Sequence, residues 1–140
     1  MKKNELLNFL KENLYCRVKR SSVHGVGVFA MKSIPTDIDV FSALGKDYRG
    51  SDYHFYSLEE LSVLDEGILE MIVDYCVVCD SGKYEICESL PRWVQGGCVY
   101  LINHSDSPNL RYYTDTDDII TTREIEEGEE LFLDYDQLCG

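Results

Sequence analysis

The stretch Leu101-Ile-Asn-His-Ser-Asp-Ser-Pro-Asn109 joins an apolar run to a cluster of polar side chains. The apolar run, Cys98–Ile102, predicts a short buried strand. Asn103, His104 and Ser105 follow it. Such groups at a buried strand end need hydrogen-bond partners, which an adenine edge or an amine can supply. Taken alone, the stretch is more typical of a turn with an Asx cap. A metal site at His104 is less favoured than either interpretation.

A second stretch, His24-Gly-Val-Gly-Val-Phe-Ala30, places two glycines around one residue. Glycines let the backbone turn sharply and let a ligand approach its N–H and C=O groups. This suits a nucleotide-like or amino-acid-like cofactor. It is not the dinucleotide-binding fingerprint, because the third glycine is missing and no helix pattern follows directly. Alone, a GxG pattern is more often a hairpin turn.

A third stretch is Arg123-Glu-Ile-Glu-Glu-Gly-Glu-Glu-Leu-Phe-Leu-Asp-Tyr-Asp136. Its composition predicts a turn at Glu126–Glu129 and a strand from Glu130 to Tyr135. A tyrosine near the end of a chain usually packs its ring and donates one hydrogen bond. By itself, this stretch therefore assigns no function.

In this order, the three stretches resemble the signature of the SET-domain protein lysine methyltransferases. Thr122-Arg-Glu-Ile125 also resembles the hydrophobic-Arg-x-Ile segment that precedes the family's last motif. The likeness covers roughly residues 17–45 and 95–136, with an unmatched middle. It is specific because three motifs agree in order as well as in composition. The chain resembles the small stand-alone viral and bacterial members, which lack a cysteine-rich zinc segment after the catalytic tyrosine.

The resemblance implies a mainly β fold with short helices, in the α+β class. In this SET-domain (β-clip) fold, the Asn-His segment threads a loop that the C-terminal segment closes, which forms a pseudoknot. The implied organisation is an N-terminal amphipathic helix at residues 1–14 and a single SET domain at residues 15–140. A variable insertion occupies about residues 46–94.

The resemblance also implies a site. Family members transfer a methyl group from S-adenosylmethionine, release S-adenosylhomocysteine and use no metal in this step. Tyr135 matches the catalytic tyrosine, whose phenol lies where the methyl donor and the lysine nitrogen meet. The glycine segment is expected to hold the methionine part of the cofactor through its backbone, and the Asn-His pair its amino and adenine ends. The expected cofactor-binding residues are His24, Gly25, Val26, Gly27, Asn103, His104 and Tyr135.

Two features near the expected site depart from the family's pattern. In the given sequence Asp136–Gly140 follows the tyrosine, so we expect the target-lysine channel to be closed by the insertion, by the substrate or by a second subunit in a homodimer. Leu133 stands where Phe or Tyr is common, so the number of methyl groups added is not predicted. Four aromatic residues are candidates for the channel, although core or surface packing is the more typical role of each: Tyr48, Tyr53, Tyr56 and Trp93.

Apolar spacing and turn composition predict the remaining elements. The spacing of Asn4–Leu14 predicts an amphipathic helix that packs on the domain or on a partner. Ser57–Glu60 fits a capping box at the start of a helix. The apolar face behind that box is formed by Leu58, Leu61, Leu64, Ile68, Leu69 and Ile72. Further strands and hairpin segments are predicted at Tyr15–Lys19, Val23–Ala30, Ile38–Leu44, Tyr75–Cys79, Tyr84–Cys87 and Ile119–Thr122.

The 140 residues carry 13 basic and 26 acidic side chains, a net charge of −13. The electric field of this negative charge repels nucleic acid, because proteins that bind nucleic acid need Lys and Arg to displace counterions. It attracts basic partners such as a histone tail, although acidity more often serves solubility alone. Neither a membrane span nor a signal peptide is evident in the sequence. We therefore expect the cytoplasm or the nucleus, and the host nucleus for a viral protein or a secreted effector.

The six cysteines are expected to be free thiols, because no export signal is evident. A zinc site could be imagined from Cys76, Cys79, Cys87 and Cys98. The irregular spacing favours buried thiols that act as small hydrophobes.

Three functional hypotheses follow from the sequence. The leading one is an active lysine methyltransferase with a histone or another basic protein as its target. The second is a catalytically silent interaction module that kept the fold, against which the intact Asn103, His104 and Tyr135 argue. The third is methylation of a non-histone protein, which the sequence does not separate from the first.

Overall fold

The computed structural model describes residues 1–42 and 50–138. The strands are β1 (Cys16–Arg20), β2 (Val26–Ala30), β3 (Tyr53–Tyr56), β4 (Val77–Val78), β5 (Tyr84–Cys87), β6 (Asn103–His104), β7 (Leu110–Tyr113), β8 (Asp118–Thr121) and β9 (Glu130–Leu133). The helices are α1 (Lys3–Asn13), α2 (Leu58–Leu61), α3 (Glu66–Tyr75) and α4 (Leu90–Gly96), with 3-10 helices at Cys98–Leu101 and Tyr135–Gln137. The result is the expected α+β architecture of small sheets and short helices.

The strands form three small sheets. The first has the order β1-β2-β9-β6, the second β3-β5-β4, and β7 pairs with β8. In the first sheet β9 runs antiparallel to β2 and parallel to β6, so Asn103 lies opposite Phe132. This arrangement brings the Asn-His segment against the C-terminal segment, as the expected pseudoknot requires.

Two hydrophobic cores hold the sheets together. The first core unites α1 with the middle of the chain: Leu6, Leu10 and Leu14 pack with Ile68 and Ile86. Helix α1 therefore packs on the rest of the chain, one of the two arrangements that its apolar spacing allowed. The expected domain boundary at residue 14 stays a prediction.

The second core lies beneath the sheet that carries the quoted sequence motifs. Val28 from β2 and the alternating Leu131 and Leu133 from β9 point into it, together with Ile102 and Leu110. Because side chains alternate across a strand, Glu130 and Phe132 face the opposite side of the sheet. This alternation places Glu130 beside the glycine segment.

The middle segment matches its prediction in part. Ser57 forms the capping box, since its side chain accepts a hydrogen bond from the N–H of Glu60 and the carboxylate of Glu60 accepts one from the N–H of Ser57. However, the apolar pattern spans two helices, because Asp65 has an extended backbone (φ −62°, ψ 150°) that separates α2 from α3. Leu58 is consequently exposed rather than part of the apolar face.

The predicted hairpin is confirmed in its turn and second strand, with β4 antiparallel to β5 and Gly82 in the left-handed region (φ 81°). Its first strand is shorter than the predicted Tyr75–Cys79, because α3 extends to Tyr75 and only Val77–Val78 pairs. The other predicted strands of the first sheet and β8 are also present, and their bounds differ from the expected ones by at most three residues. No pattern in the sequence predicted β3, β7 or α4.

The prediction of a strand at Cys98–Ile102 is wrong. Gly97 keeps a near-helical backbone (φ −80°, ψ −21°), and the thiol of Cys98 bonds the carbonyl of Val94 one turn back. The chain therefore continues from α4 into a 3-10 helix. Tyr100 is 90% exposed, so the apolar run is not buried along its whole length.

The prediction of a strand at Ile38–Leu44 is also wrong over residues 38–42, and its last two residues lie outside the described ranges. Asp37 has a positive φ of 63°. The carboxylate of Asp39 accepts the N–H of Phe41, which closes a turn. A single bridge between Asp39 and Ile120 is the only strand-like pairing recorded for these residues in the described part of the chain.

No helix in the described ranges is both long and apolar enough to cross a bilayer.

Candidate active site

Asn103 lies at the centre of the candidate site. The residue is 8% exposed, and β6 holds it next to β9. Its Nδ2 lies 3.0 Å from the carbonyl oxygen of His24, 3.1 Å from that of Val26 and 2.9 Å from Oε2 of Glu130. All three quoted stretches therefore meet at one amide group, because Glu130 belongs to the third.

The glycine segment provides the backbone edge of the site. Gly25 adopts a positive φ of 49°, which favours glycine, at the turn that leads into β2. Val26 is 45% exposed, whereas Gly27 is buried. A Cβ at Gly27 would lie 2.4 Å from Oε2 of Glu130 and 3.1 Å from Nδ2 of Asn103. The second glycine is thus needed for the close approach of these two side chains.

His104 contacts the C-terminal motif. Its Nδ1 accepts the backbone N–H of Tyr135 at 3.0 Å, and its Nε2 lies 3.0 Å from Oδ1 of Asp106. The rings of His104 and Tyr135 are tilted by 57° with centroids 5.1 Å apart. These contacts join the first and third motifs at a second point.

The phenol of Tyr135 is anchored to the chain just before Asn103. Its hydroxyl donates to the carbonyl oxygen of Ile102 at 2.5 Å, and the side chain as a whole is 43% exposed. A half-exposed phenol held by a backbone carbonyl can orient an incoming amine without being consumed.

Sequence reasoning missed three groups of this site. The carbonyl oxygen of Ile102 carries no side-chain signal. Glu130 is predicted only as the start of a strand, although its alternation with the buried Leu131 and Leu133 indicates that it lies on the opposite face from them, the side of the glycine segment. Ser21, whose hydroxyl donates to Oε1 of Glu130 at 2.7 Å, lies outside the three stretches.

Asn109, at the end of the first quoted stretch, has a structural role. It is 1% exposed. Its amide donates to the carbonyl oxygen of Glu130 at 2.9 Å and accepts the N–H of Phe132 at 2.8 Å. This side chain completes the hydrogen bonding of β9 as a neighbouring strand would.

The channel candidates are scattered. Tyr56 is fully buried in the first core, with its hydroxyl on the carbonyl oxygen of Lys3. Tyr53 and Trp93 are exposed, at 57% and 80% respectively. Tyr48 lies outside the described residues. Leu133 is 4% exposed and packs in the second core.

Among the described cysteines, Cys16 and Cys98 are in hydrogen-bond contact, but the four considered for zinc do not form a cluster. Over residues 1–42 and 50–138, no three His, Cys, Asp or Glu side chains come close enough to bind a metal ion together. Cys16 and Cys98 are buried, while Cys76, Cys79 and Cys87 are half-buried free thiols. Burial raises the pKa of the Cys76 thiol to about 11.

The motifs and this geometry define the class to which the chain belongs. The family model of the SET domain matches residues 25–136, which is most of the sequence. The chain is therefore a member of the SET-domain family. SET-domain proteins are in general lysine methyltransferases that use S-adenosylmethionine.

Among solved structures, the chain is similar to a Plasmodium falciparum protein described as a candidate histone methyltransferase. That similarity has a TM-score of 0.40 and 18% sequence identity, and covers 87% of this chain and 93% of the other. No curated protein matches the sequence.

Proposed function

We propose that this chain is an S-adenosylmethionine-dependent protein-lysine N-methyltransferase. The observation that carries the proposal is the position of Tyr135, whose backbone N–H bonds His104 and whose phenol bonds the carbonyl oxygen of Ile102. These two bonds hold a phenol beside the strand whose next side chain, Asn103, contacts the glycine segment. A catalytic phenol next to a cofactor cradle is the arrangement that methyl transfer to an amine needs.

The residues fit the amino-acid end of the cofactor. The carbonyl oxygens of His24 and Val26, the side chain of Asn103 and the carboxylate of Glu130 offer hydrogen-bond acceptors within one small volume. An α-ammonium group carries three N–H donors and a positive charge, so it matches a cluster of oxygens that includes a carboxylate. His24, Gly25, Val26, Gly27, Asn103 and His104 would hold the cofactor.

When bound, S-adenosylmethionine supplies a sulfonium methyl group: the lysine nitrogen forms the new N–C bond as the S–C bond breaks, which leaves S-adenosylhomocysteine. The task of the protein is then alignment. Holding two reactants in a near-attack geometry can supply about 7–11 kcal/mol in the best cases. Tyr135 would orient the amine and favour the reacting methyl electrostatically.

The amine must arrive neutral, although the pKa of a free lysine is about 10.4. A dry channel and an adjacent sulfonium charge both lower that pKa. A strong general base is therefore unnecessary, and the role proposed for Tyr135 is that of an orienting group.

The proposed substrate is a basic protein, with a histone tail as the first candidate. The net charge of −13 supports this, because an acidic surface steers lysine-rich segments toward it. A histone target would place the activity in the nucleus, which for a viral protein or secreted effector is the nucleus of the host. The lysine channel would be completed by the middle of the chain, by the substrate or by a second subunit in a homodimer.

A labelled-methyl transfer assay over purified histones and a cell lysate tests the proposal. We expect label on lysine, and a fall of at least about a hundredfold in Tyr135→Phe, because a preorganised polar group at a reacting centre is worth that much. Cofactor affinity should be largely kept in this variant. Tyr113→Phe is the matched control, since Tyr113 is exposed to a similar extent (41%) on β7.

Two outcomes would contradict the proposal. Undiminished transfer by Tyr135→Phe would remove the phenol from the reaction. Calorimetry that detects no binding of S-adenosylmethionine by the wild type would favour the silent interaction module instead.

A further inference from the structure

The carboxylate of Glu130 links the turn before the glycine segment to Asn103. Its Oε1 accepts the hydroxyl of Ser21 at 2.7 Å, and its Oε2 accepts the amide of Asn103 at 2.9 Å. The hydroxyl oxygen of Ser21 in turn accepts the backbone N–H groups of Val23 and His24, at 3.0 and 3.3 Å. One carboxylate is thus tied to both sides of the candidate cofactor cradle.

Acceptors outnumber donors around this carboxylate. The amide nitrogen of Asn103 has two hydrogens but three acceptors within 3.1 Å, namely two backbone carbonyls and Glu130. In the described part of the chain, no group donates to Oδ1 of Asn103. A cluster with surplus oxygens and a negative charge suits a cation with several N–H donors.

We infer that Glu130 is a positioning residue for the α-amino group of the cofactor, an inference that rests on the function proposed above. The Asn103 amide could rotate by half a turn and exchange its oxygen and nitrogen. The carboxylate of Glu130 can only accept hydrogen bonds, so it holds the amide nitrogen of Asn103 toward the glycine segment. The Oδ1 of Asn103 then lies on the opposite side of the amide. Its charge makes the resulting acceptor cluster select an ammonium group.

Gly27 contributes to the same arrangement of Glu130 and Asn103. A Cβ at this position would meet the Glu130 carboxylate at 2.4 Å and push it away from Asn103. The glycine therefore serves the carboxylate as well as the backbone, and the second glycine of the motif and the glutamate of β9 act as a pair.

Calorimetric titration with two ligands tests the inference. S-adenosylhomocysteine carries the α-amino group, whereas 5′-methylthioadenosine keeps the adenosine and thioether but lacks the amino-acid part. We expect Glu130→Gln to bind S-adenosylhomocysteine about tenfold more weakly, because a neutral amide neither fixes the orientation of Asn103 nor favours an ammonium group. Its affinity for 5′-methylthioadenosine should stay within about twofold of the wild type, because that ligand lacks the ammonium group that the acceptor cluster binds.

Glu126→Gln is the matched control. It removes the same charge from the exposed turn four residues earlier and should bind both ligands like the wild type. Ser21→Ala keeps the carboxylate but removes its second anchor, so a smaller loss confined to S-adenosylhomocysteine is expected. Thermal unfolding of each variant separates a loss of fold from a loss of binding.

The outcomes are distinguishable. Wild-type affinity of Glu130→Gln for S-adenosylhomocysteine, or an equal loss for both ligands, would overturn the positioning role while leaving the proposed function intact. A wild-type protein that binds neither S-adenosylmethionine nor S-adenosylhomocysteine would overturn the proposed function, and the positioning role with it.

Discussion

The backbone N–H of Tyr135 donates a hydrogen bond to Nδ1 of His104 at 3.0 Å. A backbone N–H can only donate, so this bond requires a lone pair on Nδ1 and leaves the proton of the neutral ring on Nε2, where Asp106 accepts it. The phenol of the same tyrosine is held by the carbonyl oxygen of Ile102. Tyr135 is therefore fixed at its backbone and at its hydroxyl by one short segment of chain.

Removing the imidazole should loosen Tyr135. In His104→Ala we expect hydrogen exchange of the Tyr135 amide to become about tenfold faster, because losing one ordinary hydrogen bond reduces the protection of an amide by about that factor. His104→Asn should restore part of the protection, because its Oδ1 can take the position of Nδ1. Amide exchange followed by NMR measures both variants. Equal exchange in the alanine and asparagine variants would mean that the Nδ1 contact does not hold the tyrosine.

Asn109 should matter for stability rather than for cofactor binding. Asn109→Ala leaves the carbonyl of Glu130 and the N–H of Phe132 without their partner, and two such buried groups cost about 2–4 kcal/mol together. Asn4→Ala, on the exposed face of α1, is the control and should change the free energy of unfolding by less than about 0.5 kcal/mol. Urea denaturation measures both, and a similar small effect in the two variants would refute the strand-completing role.

Local sequence patterns predicted the elements whose structure is decided locally. The apolar spacing of α1, the capping box at Ser57 and the alternation in β9 all appear in the fold because nearby residues supply their caps and their buried faces. The run Cys98–Ile102 misled the prediction, since it is continuous with α4, a helix that the sequence did not reveal. Its short apolar composition suits a strand and a helical turn equally.

The motif residues of the candidate site were found by resemblance, and their contacts came from the fold alone. The separation of Ser21 from Glu130 is 109 residues, and that of His24 from Asn103 is 79. Pairings of this range depend on sheet order, which no local pattern encodes. The carbonyl oxygen of Ile102 illustrates a further limit, because every residue has such a group and only the position of Tyr135 singles it out.

Gly67 is required where α3 begins. A Cβ there would lie 2.2 Å from the carbonyl oxygen of Met31 and 2.6 Å from its Cα, and backbone atoms cannot move aside as a flexible side chain can. Gly67→Ala should therefore destabilise the protein by about 1–3 kcal/mol, in spite of the better helix propensity of alanine. Gly96→Ala, in α4 with open space around it, should be neutral or slightly stabilising. Thermal unfolding of the two variants checks this, and equal effects would contradict it.

The ion pair between α1 and α2 should give the protein a defined acid sensitivity. Lys3 lies 2.7 Å from Glu60, and this contact, helped by the N–H of Ser57, lowers the pKa of Glu60 to about 2. Because the folded-state pKa lies below the unfolded value of about 4.3, the contribution is complete above that value and is lost as the pH falls toward 2. Both side chains are about 40% exposed, so salt should weaken the effect. We expect the urea midpoint of the wild type to exceed that of Glu60→Gln between pH 5 and 7, and this difference to disappear near pH 2. Glu59→Gln is the control: Glu59 lacks this partner, so its difference from the wild type should not change with pH in this way. A difference that stays constant down to pH 2 would show that the charge of Glu60 makes no contribution.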